Sequence, residues 1–311
     1  MLRTLTAADL AEAIALLTEA LPYDGVAVVA REKLLAGNGR RRGQALGAYS
    51  AGGELLGVVA YAGRFVKLLA TKPAARRQGV GTALLGAVRA ALTAQGEREA
   101  GRLRIGDHPG NYLAPGVDER YDAAHAFFRA RGFAVAGQGL NLRAPLAGNP
   151  LCRPEHLQQQ LAAAAATGYT VRRATAADVP ALLAMVESQF SWVWAYEVAR
   201  ALGPGLGGEA AAHTPELPEG AAVHIALAAD GAIVAFAAHD GNNRGLGWFG
   251  PMGTLPAHRG RRLGEVLVLC CLADVWERVD GGVIAWVGPV DFYARACGAV
   301  PDRRFVVYEE T

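Results

Sequence analysis

The strongest constraint on this chain is that it carries the same plan twice. "LRTLTAADLAEAIALL" at residues 2–17 is matched by "VRRATAADVPALLAMV" at 171–186. Each reads as a short strand, a Thr-Ala-Ala-Asp start and apolar residues at helical spacing. Thr6 and Thr175 are the expected N-caps. Asp9 and Asp178, three residues on, suit the positive helix end, and Pro180 falls in a first turn, where it is tolerated. Residues 47–62 and 225–239 each read as a hairpin. Then come "LLATKPAARRQGVGTALL" (68–85) and its counterpart "MGTLPAHRGRRLGEVLVL" (252–269), each running into a helix. A short strand follows, "RLRIG" or "GVIAWV". Next is a helix ending in glycine, "AAHAFFRARGF" or "DFYARACGA", and then a closing strand, "GLNLRAP" or "RRFVVYEE". Such a chain is expected to form two α+β domains of one topology, near 1–145 and 169–311. Residues 146–168 are Pro-rich, then Ala-rich, and read as a linker with one helix.

Composition excludes several classes. The 311 residues are 52% hydrophobic and 19% charged, which gives a globular chain with ample core. A net charge of +2, with no basic cluster interleaved with aromatics, argues against nucleic acid. "GRRRG" at 39–43 reads as a solvated turn. Positive charge is nearly all arginine, the lysines being Lys33, Lys67 and Lys72. Cys152, Cys270, Cys271 and Cys297 form no Cys-x-x-Cys pair, and Cys297 reads as a small buried residue rather than a nucleophile. The start does not resemble a signal peptide, and no apolar run approaches ~18 residues. A cytoplasmic, reduced protein without a membrane partner is the expectation. The histidines show no ligand spacing, so no metal is expected.

The loop between strand and helix carries the chemistry. The first turn of a helix leaves backbone N–H groups without partners, and these, with the helix dipole, favour an anion. Gly79 and Gly81 let a diphosphate approach the main chain, and Arg76 and Arg77 add charge at the rim. A plain helix start with loop glycines is one reading. A dinucleotide loop would need a third glycine, where Leu84 stands, and a P-loop would need Gly-Lys-Ser/Thr, which is absent.

Pro73, Arg76, Gly79, Gly81, Leu84 and Leu85, spaced P-x-x-R-x-x-G-x-G-x-x-L-L after an apolar strand, resemble the coenzyme A loop of the GNAT superfamily of N-acetyltransferases. "FFRARGF" and "FYARACGA" stand where that family has a Phe-Tyr-x-x-x-Gly-Phe segment. The resemblance covers nearly the whole chain, twice. It implies an α+β, α/β/α layered protein of two tandem GNAT folds, each a central mixed, splayed β-sheet with flanking helices.

The resemblance also implies a cofactor, acetyl-CoA, wedged between splayed fourth and fifth strands. In the first half its contacts would be Leu69, Ala70 and Thr71, with Arg76, Arg77, Gln78, Gly79, Val80, Gly81 and Thr82 at the pyrophosphate. In the second half they would be Met252, Gly253 and Thr254, with Arg259, Gly260, Arg261, Arg262, Leu263, Gly264 and Glu265. Gly250-Pro251 lies inside the second fourth strand. Proline cannot donate to a ladder, so a bulge is expected there, freeing a backbone N–H such as that of Met252 for the thioester carbonyl. The first half has no such Gly-Pro.

Family chemistry is direct transfer: an amine attacks the thioester and an acid protonates the thiolate. Tyr293 is in the acid's position, whereas the first half has Phe128, which holds no proton to give. The second half, in turn, has Arg262 where the first has Gly79. Arginine keeps its backbone N–H and binds phosphate well. His239 and Asp240 are candidate bases, and Trp248 and Trp286 candidate walls of an acceptor groove. Asn111, Tyr112, Asp118 and Tyr121 lie in a loop whose composition also makes ordinary turns. The expected partner is a small-molecule amine, an amino sugar among the candidates, with the chain a pseudo-symmetric monomer or a homodimer. The alternative is a non-catalytic acyl-CoA-binding or sensing protein.

Overall fold

The computed structural model describes residues 1–97, 102–203, 222–276 and 278–311. In chain order the elements are β1 (Leu2–Thr4), α1 (Leu10–Ala20), α2 (Val26–Leu35), β2 (Gln44–Tyr49), β3 (Leu55–Ala62), β4 (Phe65–Thr71), α3 (Val80–Ala94), β5 (Arg104–Ile105), β6 (Val117–Asp118), α4 (Asp122–Arg129) and β7 (Phe133–Pro145). There follow α5 (Pro154–Ala166), β8 (Thr170–Arg173), α6 (Val179–Gln189), α7 (Trp192–Ala201), β9 (Val223–Leu227), β10 (Ile233–His239), β11 (Trp248–Thr254), α8 (Leu263–Val275), β12 (Gly281–Ile284), α9 (Val290–Cys297) and β13 (Val300–Glu310). The class is α+β, with mixed sheets and flanking helices.

The repeated start folds the same way in both copies. The Thr6 N–H and hydroxyl donate to the Asp9 carboxylate at 2.7 and 2.8 Å, and Thr175 does the same to Asp178 at 2.8 and 2.6 Å. Arg3 and Arg172 clamp the same two carboxylates from the preceding strand, at 2.6 and 2.7 Å. These arginine bonds, with those from threonine, hold both carboxyls far below the usual range. Pro180 sits at the start of α6, as the sequence requires.

The compact units divide the chain inside two strands rather than at the linker. One comprises Met1–Gly139 with Arg304–Thr311, the other Leu140–Arg303. In the first unit β1, β2, β3 and β4 pair antiparallel, β4 and β5 pair parallel, and the last residues of β13 close the sheet against β5, Tyr308 opposite Ile105. In the second, β8, β9, β10 and β11 pair antiparallel, β11 and β12 pair parallel, and the end of β7 closes the sheet, Leu142 opposite Ile284. A closing strand can come from either copy because both copies end in strands of the same apolar pattern. The helix of the expected linker is α5, whose Leu157, Leu161 and Ala164 join the core of the second unit.

In the first unit α3 buries Leu84, Leu85, Val88 and Leu92 against Val59, Tyr61 and Val66 of the sheet. Each such side chain contributes ~1.5–3 kcal/mol. In the second unit α8 is buried almost all round, from Leu263 to Val275. A separate cluster of Leu182, Val186, Val198 and Phe236 joins α6 and α7 to the sheet. No helix among the described residues is long and apolar enough to cross a membrane.

Candidate functional site

In each unit the parallel pair of strands parts after two residues. β4 pairs with β5 only at Phe65↔Arg104 and Val66↔Ile105, then runs on to Thr71. β11 pairs with β12 only at Trp248↔Val283 and Phe249↔Ile284, then runs on to Thr254. Residues 67–71 and 250–254 therefore offer a sheet edge that the parallel neighbour leaves open. Both strands also hold one extra residue against their hairpin partners. Leu68 and Val66 face Ala60 and Tyr61, while Met252 and Phe249 face Ala237 and His239. In β11 the irregularity surrounds Gly250-Pro251, as the proline requires. In β4 it falls on Lys67 without a proline, so the feature belongs to the fold and not to the Gly-Pro pair.

The two loops share a backbone that their sequences disguise. Arg77 (φ 64) and Gly79 (φ 82) are left-handed in the first, Gly260 (φ 76) and Arg262 (φ 59) in the second. Each loop thus has two left-handed residues spaced two apart, one an arginine and one a glycine, in opposite order. Arg262 preserves the turn that Gly79 makes, at a cost of roughly 1–2 kcal/mol for a left-handed non-glycine. Gly81 and Gly264 have a different reason. A Cβ on Gly81 would lie 3.0 Å from the Phe127 ring, and one on Gly264 would lie 2.9 Å from Met252 Cε. These glycines let α3 and α8 approach the neighbouring elements, while Gly79 and Gly260 supply the turn.

Charge differs between the loops. α3 has no acid in its first turn, and Arg76 and Arg77 have no acidic partner among the described residues. In the second loop Arg262 is paired with Glu265 at 2.7 Å. Arg259 donates to the Thr254 carbonyl at 3.2 Å, and the Arg261 guanidinium lies 5.9 Å from the Tyr169 ring centroid.

A cleft of about 990 Å³ opens in the first unit along the free edge of β4. Leu69, Ala70, Thr71, Arg76, Arg77, Gly79, Val80, Gly81 and Thr82 line it, together with Phe127 and Phe128 of α4. Gln78 turns away to the Ala74 carbonyl, 3.0 Å. At the other end Tyr121 donates to Asp24 at 2.9 Å and accepts from the Tyr23 N–H at 3.2 Å. Arg120 lies 4.0 Å over the Tyr23 ring and is paired with Asp118 at 2.8 Å. The loop holding Asn111 is buried and anchored: Asn111 donates to the Ala36 and Gly37 carbonyls and accepts from Lys33. Its neighbour Tyr112 is buried as well.

In the second unit Tyr293 sits beside the point where β11 and β12 part. Its ring packs edge-on against Phe249, the last β11 residue paired to β12, at 5.9 Å, and against Phe292 at 4.9 Å. The residue is 7% exposed, and its hydroxyl makes no hydrogen bond among the described residues. Burial pushes the phenol well above its ordinary pKa. Phe292 lies over Gly264 as Phe127 lies over Gly81, so Tyr293 and Phe128 are structural equivalents. Phe128 stacks on Tyr308, whose hydroxyl is taken by His125 at 2.9 Å. Met252, Gly253 and Thr254 form the β11 edge, with Met252 half-buried against Gly264. Leu263, Gly264 and Glu265 are the first turn of α8. Trp248 is buried at the start of β11, while Trp286 is 43% exposed beyond β12, its backbone N–H donating to Asn141 Oδ1 at 3.0 Å.

His239 and Asp240 lie in a buried ion cluster. His239 Nδ1 is 2.8 Å from Asp240 and Nε2 is 3.1 Å from Asp274, which also binds His224 at 2.7 Å and Arg173 at 2.6 Å. Asp240 accepts from the N–H groups of Gly245 and Gly247 and pairs with Arg278 at 3.2 Å. Burial alone would lower the His239 pKa; bonds to two carboxylates raise it above the ordinary value. Both ring nitrogens are hydrogen-bonded to carboxylates, which leaves neither open to a substrate. Burial also raises the Cys297 thiol to about 12, so it stays protonated. The described residues contain no group of side chains that could hold a metal ion.

The fold is shared with solved structures. Over 99% of this chain the structure is similar to the GCN5-related glucosamine N-acetyltransferase region of a fungal multi-domain GH3 β-N-acetylglucosaminidase. There the TM-score is 0.72 at 19% identity, and the match spans 38% of that longer chain. A GCN5-related N-acetyltransferase from Sphaerobacter thermophilus matches over 100% of this chain and 95% of its own, with TM-score 0.67 and 17% identity. A tandem GNAT protein from the clavulanic acid biosynthesis pathway matches over 99% and 97%, with TM-score 0.65 and 18% identity. The chain carries a tandem GNAT fold. No family model and no curated protein matches the sequence. The tandem GNAT fold is thus visible in three dimensions where sequence similarity has faded.

Proposed function

We propose that this chain is an acetyl-CoA-dependent N-acetyltransferase acting on a primary amine of a small molecule in a ternary complex, with chemistry in the second unit. The observation that carries the reading is Tyr293: a buried phenol with an unpaired hydroxyl at the parting of β11 and β12. When bound, acetyl-CoA supplies an activated acetyl group on a thioester. The residues fit such a ligand. The left-handed loops aim first-turn N–H groups outward, arginines rim them, and the open strand edges offer main-chain partners for an extended arm. In the second unit Met252, Gly253, Thr254 and residues 259–265 would hold the ligand, and the Met252 N–H would face the carbonyl where negative charge develops. A neutral amine would form the new C–N bond as the C–S bond breaks. Tyr293 would give its proton to the departing sulfur, and the proton released by the acylated nitrogen would pass to water, from which the phenol is restored. Trp248 and Trp286 border the acceptor. An amino sugar is the favoured class, because the fungal neighbour is named for glucosamine. No proton is routed through His239 or Asp240, whose polar atoms are committed to one another.

A second role within the same chain is favoured by the first unit. Its cleft is the clear ligand groove there, yet Phe128 replaces the acid and Tyr121 is tied to Asp24. That unit holds an acyl-CoA without transferring its acyl group. Counting coenzyme A per chain by calorimetry and following thiol release with a panel of amines separates the two. Amine-dependent release supports transfer, whereas binding without turnover on any amine leaves only the holding role.

A further inference from the structure

We propose that Arg131 makes the first unit selective for a ligand carrying a phosphate beyond the pyrophosphate, namely the 3′-phosphate of coenzyme A. The inference rests on reading that cleft as a coenzyme A site.

Arg131 lines the cleft just after α4, before Gly132 (φ 80) turns the chain away. Its guanidinium lies 3.8 Å over the Phe127 ring. Nε and Nη2 donate to Thr82 Oγ1 at 2.9 and 2.6 Å, and Nη1 donates to the Phe127 carbonyl at 3.1 Å. Thr82 is the third residue of α3, so the charge is fixed against the turn that receives the pyrophosphate. A guanidinium has five N–H groups. Three are used, which leaves one on each terminal nitrogen, a pair able to fork a phosphate. No carboxylate pairs with Arg131 among the described residues.

Charge counting gives the ligand. A pyrophosphate diester brings roughly two negative charges, which Arg76 and Arg77 already balance. A third fixed cation at the same mouth is in excess for a pyrophosphate alone, and a 3′-phosphate matches it. The second unit lacks the device. Phe292 holds the place of Phe127, and four residues on, where the first unit has Arg131, stands Ala296, 4% exposed. Glu265 stands where Thr82 would anchor the arginine. The preference therefore belongs to one unit of the two.

The test is calorimetry on the full chain with coenzyme A and with 3′-dephospho-coenzyme A. Gly81→Trp identifies the heat that belongs to the first unit. The expected wild-type preference there for coenzyme A is roughly tenfold or more. Arg131→Gln should erase it by weakening coenzyme A, leaving the dephospho ligand within about twofold, and Arg131→Lys should recover part. A thermal melt checks that each variant folds. If Arg131→Gln weakens both ligands alike, Arg131 merely supports the loop and the inference fails; it also fails if neither ligand responds. Absence of any coenzyme A binding by the wild type would instead remove the reading of the cleft, and the inference with it.

Discussion

Replacing Tyr293 by phenylalanine should leave the stability nearly unchanged and make the protein far slower. The ring keeps its place between Phe249 and Phe292, because phenylalanine preserves both edge contacts. Only the hydroxyl is lost, and it makes no hydrogen bond while its residue is 7% exposed. That oxygen is not among the fully buried polar atoms that lack a partner, so water reaches it and little desolvation cost is recovered on its removal. Tm should therefore stay within about 2 °C of the wild type. The same hydroxyl is the proposed acid, and general-acid catalysis contributes ~10²–10⁴-fold. A loss of ~10²–10³ in kcat corresponds to ~3–4 kcal/mol of transition-state stabilisation. Coenzyme A binding should stay within about twofold, since the hydroxyl meets the ligand only as sulfur departs. Burial holds the phenol well above its ordinary pKa, so the wild-type kcat should show no alkaline fall due to Tyr293 below pH ~10. The assay pairs calorimetric melting with stopped-time thiol release from acetyl-CoA. Unchanged turnover, or a loss of stability with the loss of rate, would refute the reasoning, because the residue would then be a packing group.

Other outcomes follow from the same geometry. Gly81→Trp drives an indole into the cleft past Phe127, so one coenzyme A per chain should be lost while amine turnover persists; abolished turnover would move the chemistry to the first unit. Asp274→Asn leaves His239 with one carboxylate and should cost about 3 kcal/mol in melting experiments, the low end for breaking a buried ion pair. The His239 pKa is raised on folding, so its stabilisation is full below pH ~6.5 and lost as pH rises through the folded value. In Asp274→Asn that loss should be smaller and complete at lower pH, and coincident profiles would contradict the cluster. His108 behaves oppositely. It is fully buried with both ring nitrogens unbonded, and burial, then the Lys67 charge, lowers its pKa to about 3. Stability should fall as pH drops from ~6.5 towards that value, by up to ~1.4 kcal/mol per unit. His108→Leu should flatten that slope in urea titrations across pH, and an unchanged slope would show that His108 does not cause it.

The sequence made the duplication, the helix starts and the strand-to-helix loops legible, because each is local. The Thr6–Asp9 and Thr175–Asp178 boxes could be read from spacing alone. The irregularity in β11 was signalled by Pro251, but its twin at Lys67 has no breaker residue and could not be foreseen. Comparing Arg262 with Gly79 alone hides what the second loop keeps. The exchange of arginine and glycine between positions 77 and 79 and positions 260 and 262 is written in the alignment, but only backbone angles give it meaning. The closing strands were misassigned to their own halves, since two strands of like pattern compete for the same edge and only tertiary packing decides between them. The commitment of His239 to Asp274, thirty-five residues on, is likewise non-local.

The most direct test of the whole account is amine-dependent release of thiol from acetyl-CoA by the intact chain, with glucosamine and other small primary amines as acceptors and mass spectrometry on the amine product. The account predicts release that requires both the amine and Tyr293, with one acetyl group added to nitrogen. Coenzyme A binding without acetylation of any amine would contradict it and leave a protein that holds the ligand without using it.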